Sequence, residues 1–174
     1  TLYDEETGQK VKTLTNTTNL RFNDLYSNHN YRIEILYYNN LNDGSSNQYS
    51  TIIETFTTLA NTAPSYSFVL GNTSYTTADI SFNENDPSDI GNVESFELYR
   101  NDSPVPELTT KTFEEMSEKL KNLYSASKYT LKANYSYDLN EGEGEVDKSI
   151  SIEFYTSKYD VPTFNISVEN VGFD

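Results

Sequence analysis

The composition of this 174-residue chain excludes several classes of function. Lys and Arg number 12 against 27 Asp and Glu, which gives a formal net charge of -15, and so acidic a surface repels nucleic-acid phosphates and anionic lipids. There is no Cys and only one His, so thiol nucleophiles, disulfide scaffolds, thiolate zinc sites and multi-His metal sites are excluded as well.

Alternation of apolar and polar residues with a period of two predicts β-strands along most of the chain. Tyr31, Ile33 and Ile35 show this alternation, and so do Tyr129 and Leu131. Tyr and Phe number 15 and 9, and both are favourable strand residues whose rings fill a core. In chain order, the predicted strands cover residues 31–35, 49–57, 66–70, 78–82, 95–99, 129–133 and 149–155.

The chain contains an internal repeat of about the size of one small domain. Tyr31 and Phe56 recur 98 positions later as Tyr129 and Phe154, and a Leu-Tyr-Ser sequence recurs at the same distance. A Leu-Tyr pair that begins at Leu2 recurs after only 96 positions. The second copy therefore carries a two-residue insertion, and insertions of this kind belong in a loop.

Turns and one helical pattern complete the predicted elements. Residues 42–44 and 140–142 each end in Gly between two strands, where Gly supplies the positive φ of a hairpin turn, and residues 86–89 predict a bend. Phe113, Met116, Leu120 and Leu123 recur at helical spacing. Because Leu20 and Phe22 alternate in the first copy, we expect a strand near 119–123, preceded by at most a turn or two of helix.

A leucine and a tyrosine six residues apart resemble a feature of fibronectin type III domains. Leu25 precedes Tyr31, and Leu123 precedes Tyr129, at this spacing. In that family the tyrosine lies on the sixth strand and forms a tyrosine corner. The resemblance implies an all-β chain of tandem immunoglobulin-like (fibronectin type III-like) β-sandwiches.

Other residues extend the resemblance over nearly the whole chain. Phe-Thr-Thr at 56–58 and Phe-Tyr-Thr at 154–156, with prolines following at 64 and 162, are similar to the family's last strand and domain boundary. The tryptophan that the family usually has on its second strand is absent, and we expect Phe82 to take its place in the core. A bacterial immunoglobulin-like module is the alternative.

The repeat predicts one complete domain and two partial ones. Residues 1–63 are the C-terminal part of a fibronectin type III-like domain, residues 64–158 a complete one, and residues 162–174 the first strand of a third repeat. Half a sandwich would leave four apolar residues facing water, namely Ile33, Ile35, Leu36 and Phe56. Either residues ahead of Thr1 or residues 163–168 of a neighbouring chain would cover them. We favour the former, because the swap supplies about one strand where two or three are needed.

The resemblance implies a non-catalytic spacer, adhesion or protein-interaction module in a multidomain protein that is extracellular or on the cell surface. The abundance of Asn and Thr in this chain is typical of proteins encoded by AT-rich bacterial sequences. The expected partners are an extracellular protein or glycan and neighbouring repeats of the same chain, with no nucleic acid and no membrane insertion. An accessory carbohydrate-binding module of a secreted glycan-active enzyme is an alternative function.

The sequence contains no recognisable catalytic or cofactor-binding set. His29, the single histidine, is expected to be a solvated turn residue rather than a general base. A calcium-stiffened tandem repeat rod is a further alternative, because two predicted loops bring carboxylates to one pole of a sandwich, namely Asp86, Asp89, Glu141, Glu143 and Glu145. No loop shows a spaced ligand motif, so a solvated acidic rim is favoured over a metal site.

Overall fold

The computed structural model describes residues 1–167 and confirms the all-β prediction. This part of the chain contains ten strands and one short helix. The strands are β1 (Leu2–Asp4), β2 (Lys10–Lys12), β3 (Asn30–Asn39), β4 (Gln48–Thr57), β5 (Ser65–Thr73), β6 (Ala78–Asn85), β7 (Gly91–Arg100), β8 (Leu108–Thr110), β9 (Lys128–Tyr137) and β10 (Val146–Tyr155). The helix is α1 (Phe113–Lys119). All seven strands predicted from the alternation form.

The chain divides into two compact units. The first comprises Thr1–Ser65, Asn85–Asn92 and Ser136–Asp147, and its sheet has the antiparallel strand order β2-β1-β3-β4. The second comprises Tyr66–Glu84, Val93–Tyr135 and the described part of Lys148–Asp174. Its strands form a sheet of order β10-β9-β7-β8 and a two-stranded sheet, β5-β6.

The second unit has a continuous hydrophobic core. Its buried members are Ala78, Phe96, Leu98, Met116, Leu120, Leu123, Tyr129, Leu131, Ala133 and Phe154. Phe82 packs edge-on against Phe96, with ring centroids 5.0 Å apart and ring planes at 89°, a favoured aromatic geometry. Phe68 contacts both rings. Phe82 therefore packs against the core, as predicted.

A tyrosine hydroxyl fastens the segment that precedes a strand in each copy. The Tyr129 hydroxyl accepts a 2.9 Å hydrogen bond from the main-chain N–H of Tyr124, which confirms the predicted bond at this corner. The Tyr31 hydroxyl accepts an equivalent 2.9 Å bond from the N–H of Tyr26. Both tyrosine rings stack on the phenylalanine of the following strand. Burial raises the pKa of the Tyr129 phenol.

A threonine completes the same network. The Thr156 hydroxyl donates to the carbonyl of Tyr124 at 2.7 Å and accepts from the N–H of Ser127 at 3.0 Å. Thr58 makes the two corresponding bonds in the first copy, at 2.6 and 3.0 Å. Each copy thus uses one tyrosine and one threonine to satisfy three main-chain groups.

The connection that follows the first Leu-Tyr strand differs in length between the two copies. Residues 5–9 connect β1 to β2, and residues 101–107 connect β7 to β8. Leu2 pairs with Lys12 in the shorter connection, and Leu98 pairs with Leu108 in the longer one. Both of these pairs are ten positions apart, so the register does not assign the two-residue insertion to this connection.

The helical spacing around Met116 produces α1, but the predicted strand over 119–123 is wrong. The hydroxyl of Thr112 accepts a 3.3 Å bond from the N–H of Glu115 and caps the helix. Leu120 still has right-handed helical backbone angles, and turn residues follow it. The short helix itself was expected, and its spacing is explained by the burial of Met116 and Leu120.

Two further segments of the described residues form no strand. Leu20 and Phe22 lie outside regular secondary structure, because no described strand is placed there to pair with them. The first strand of a third repeat does not form over 162–167, where Phe164 and Ile166 are exposed. Residues 168–174 of that prediction lie outside the described part of the chain.

Replacing Tyr129 with Phe will test the corner bond. The change leaves the half-buried N–H of Tyr124 without its partner, so we expect a loss of about 1 kcal/mol in the free energy of unfolding of the second unit. Chemical denaturation, monitored by hydrogen exchange, measures this loss of unfolding free energy. Tyr155→Phe is the control, because Tyr155 is exposed and its change should stay within about 0.5 kcal/mol. An unchanged midpoint and slope for Tyr129→Phe would show that the bond contributes nothing.

Candidate interaction surface

The hairpin of β3 and β4 presents two different faces. The strands pair over their whole length, with Tyr31 opposite Phe56 and Tyr38 opposite Tyr49. Opposed residues share a face, and successive residues alternate between faces. Tyr31 is buried and stacks on Phe56, so this pair marks the core side. Tyr38 and Tyr49 therefore lie on the outer side.

Four large apolar side chains are exposed on this outer side. They are Leu36, Tyr38, Tyr49 and Ile53, with exposed fractions of 69%, 62%, 66% and 55%. The two tyrosine rings lie side by side, with centroids 6.1 Å apart and planes at 49°. We call these four residues the tyrosine face. Contiguous exposed apolar patches of this kind mark interaction sites on folded domains.

The tyrosine face is also poor in charge. Between Glu34 and Glu54 the only charged residue is Asp43, at the hairpin turn. The whole chain carries a net charge of -15, so this hairpin is an exception within an acidic surface. Local like-charge repulsion is therefore weaker here than on the more acidic parts of the chain.

The second copy does not share the tyrosine face. The positions 98 residues later hold Asn134, Ser136, Asp147 and Ser151, all of them polar. The corner network, in contrast, recurs in both copies. The apolar face is therefore a property of the first unit and not a requirement of the repeated fold.

Of the four apolar residues predicted to face water in half a sandwich, two are exposed. Ile35 and Leu36 are exposed, whereas Ile33 and Phe56 are half-buried. Leu36 is exposed for a different reason from the one expected, because it lies on the outer side of the sheet. The sequence signal for this outer exposure was the unbroken apolar run over 35–38. A strand with one buried face needs apolar residues only at alternate positions.

The structure does not gather the carboxylates proposed as a calcium site. Asp89, Glu141, Glu143 and Glu145 are exposed, and Asp86 accepts a 2.6 Å bond from the N–H of Gly91. Among residues 1–167, no group of three or more His, Asp or Glu side chains is arranged to hold a metal ion.

His29 is not the solvated turn residue that was expected. Only 13% of its side chain is exposed, and its Nε2 lies 2.9 Å from Oδ2 of Asp4. Its other ring nitrogen lies 3.8 Å from a Glu6 carboxylate oxygen. The ring packs against Tyr26 and Tyr31. His29 therefore joins β1 to the corner of the first unit.

Comparison of the chain with protein-family models, curated proteins and solved structures found no match. Among the described residues, the only helix is too short and too polar to cross a membrane.

Asp4 should make the stability of the first unit sensitive to acid. The Thr7 main-chain N–H, bound to the carboxylate at 2.8 Å, and then the neighbouring His29 lower the pKa of Asp4 below its ordinary value of 3.8. Because the folded state has the lower pKa, this stabilisation is fully present above pH 3.8 and is lost as the pH falls through the lowered value.

The Asp4→Asn variant tests this dependence. We expect its unfolding midpoint to fall less steeply than that of the wild type between about pH 4 and pH 2. Thermal unfolding in a pH series measures the slopes, with Asp160→Asn as an exposed control. Identical slopes for the wild type and Asp4→Asn would contradict the assigned role of Asp4.

Proposed function

We propose that the chain is a non-catalytic, tandem fibronectin type III-like segment of a multidomain extracellular or cell-surface protein, and that its first unit binds a protein partner. The carrying observation is that the two copies share an internal network but differ in one exposed face. Thr58 and Thr156 make the same bonds at the same offset, whereas the tyrosine face occurs once.

The repeated scaffold supports the spacer part of the proposal. A network that satisfies buried main-chain groups maintains the fold and places few demands on the outer side chains. Surface residues are then free to differ between copies. This separation is typical of repeated domains, in which function lies in sites added to a shared fold.

The composition of the tyrosine face supports a protein partner. Tyrosine supplies a large contact area at a low cost in side-chain entropy and is enriched in protein interfaces. Leu36 and Ile53 add aliphatic area on the same side of the sheet. Glu34 lies opposite Ile53 at one end of this face, and the hairpin from Ile35 to Asn42 is uncharged, as in interface centres, where charged residues are depleted.

A glycan partner is the second candidate, because Tyr38 and Tyr49 present two adjacent exposed rings. Such rings can pack against the apolar face of a sugar, while their hydroxyls form hydrogen bonds. A glycan site would depend on these two rings far more than on Leu36 and Ile53.

A variant that carries the residues of the second copy will test the proposal. It combines Leu36→Asn, Tyr38→Ser, Tyr49→Asp and Ile53→Ser. We expect at least about a tenfold weaker binding to the matrix proteins that the wild type binds in a panel of immobilised extracellular proteins, because interface centres carry most of the binding energy. Surface plasmon resonance measures the affinities.

The matched control changes equally exposed apolar residues elsewhere, namely Leu59→Asn, Val105→Asn and Tyr155→Ser. Equal loss in both variants would mean that general surface apolarity, and not the tyrosine face, causes the binding. A glycan-array signal that disappears with Tyr38→Ala and Tyr49→Ala but survives Leu36→Asn and Ile53→Ser would replace the protein partner with a glycan. Substrate turnover by the wild type would overturn the non-catalytic assignment.

A further inference from the structure

The second half of β3 has an open edge in the first unit. β1 pairs with β3 only as far as Leu2, opposite Ile33. The main chains of Thr1 and Glu34 then make two more hydrogen bonds, of 2.8 and 2.9 Å. Beyond Glu34, no strand in residues 1–167 pairs with this edge.

The unpaired groups of this edge belong to Leu36 and Tyr38. In antiparallel sheets, alternate residues direct their main-chain groups to the same side. Glu34 directs both its N–H and its C=O towards β1, so Leu36 and Tyr38 do the same, past the end of β1. A strand edge with free N–H and C=O groups and no charged side chain to protect it is a template for an added strand.

An apolar groove adjoins the open edge. It has a volume of about 410 Å³, and its apolar lining residues are Leu14, Leu20, Phe22, Ile33, Ile35, Leu36 and Tyr38. Ile33 and Ile35 lie on the core side of the sheet, the side of Tyr31. The groove therefore runs along the face that should be buried in a complete sandwich.

The second unit shows which elements cover the positions equivalent to the groove and the open edge. Leu131 and Ala133, the counterparts of Ile33 and Ile35, are fully buried. Phe68 on β5 and Phe82 on β6 pack against the core that contains them. β7 is the neighbour of β9 and begins at Gly91. The counterpart of Leu2, the first residue of β1, is Leu98, so β7 starts seven residues earlier in its copy than β1 does in the first.

We propose that the open edge and the groove form one docking site, and that its occupant is a segment of the same repeat type as residues 64–97. This segment supplies two strands with the alternating aromatic pattern of β5 and β6, and an extended strand that continues the line of β1. The extended strand pairs antiparallel with β3 at Leu36 and Tyr38. Leu36 and Tyr38 belong to both this site and the tyrosine face, whereas Tyr49 and Ile53 do not line the groove.

A fusion of the full chain tests the proposal. Glu97 is the counterpart of Thr1, so a copy of residues 64–96 is placed directly ahead of Thr1. Hydrogen exchange should slow by about tenfold or more at the amides of Leu36 and Tyr38, because the added strand protects them, and the protein should remain a monomer by sedimentation. The control is the same fusion with Ile80→Asp and Phe82→Asp in the added copy, which should leave these amides unprotected.

A second measurement tests the proposal if the fusion does not fold. A synthetic peptide of residues 64–96 is added to the unfused chain, and protection of the same two amides is expected to rise with peptide concentration. Unchanged exchange with fusion and peptide alike would overturn the proposal. It would also be overturned if the unfused chain sedimented as a dimer with Leu36 and Tyr38 already protected, because a second copy would then be the occupant.

Discussion

The hydrogen bond between a tyrosine hydroxyl and the main chain five residues earlier is the contact on which both copies depend. It fixes the N–H of Tyr26 in one copy and of Tyr124 in the other. A threonine directly after the end of the next strand donates to the carbonyl of the same residue. The segment that enters β3 or β9 is thereby held at both the N–H and the C=O of Tyr26 or Tyr124.

This local network explains how the first unit keeps its fold with an open groove. Tyr31 is buried and stacked on Phe56, and β3 and β4 pair over ten residues. His29 and Asp4 add a contact between the corner and β1. The contacts of Tyr31, His29 and Asp4 lie at one end of the sheet. Exposure of apolar groups increases towards the other end, where β1 no longer covers β3 and where Leu36 and Tyr38 are found.

Patterns within one segment could be predicted from the sequence, whereas the effects of missing neighbours could not. The strands follow from alternation and the turns from turn chemistry, whereas the corner bond of Tyr129 is what the resemblance to a tyrosine corner implies. The strand over 119–123 failed because the cap of α1 extends the helical conformation to Leu120. Leu20 and Phe22 alternate correctly but lack a strand to pair with, and alternation by itself does not form a sheet.

The tyrosine face was harder to predict, because it also depends on neighbouring strands. The tyrosine face contradicts the pattern of a half-buried strand, because apolar residues occupy both faces of β3 near Leu36 and Tyr38. Only the register with β4 shows that Tyr49 and Ile53 join them. The position of His29 against Asp4 joins residues 25 positions apart, which no local pattern indicates.

A double-mutant cycle on Tyr129 and Thr156 tests the central claim most directly. Both side chains bind main-chain groups of Tyr124, one its N–H and the other its C=O. If they act as one network, the combined Tyr129→Phe and Thr156→Val variant should differ from the sum of the single variants by at least about 0.5 kcal/mol in unfolding free energy. Additivity within about 0.3 kcal/mol would contradict the account, because it would make the two bonds independent.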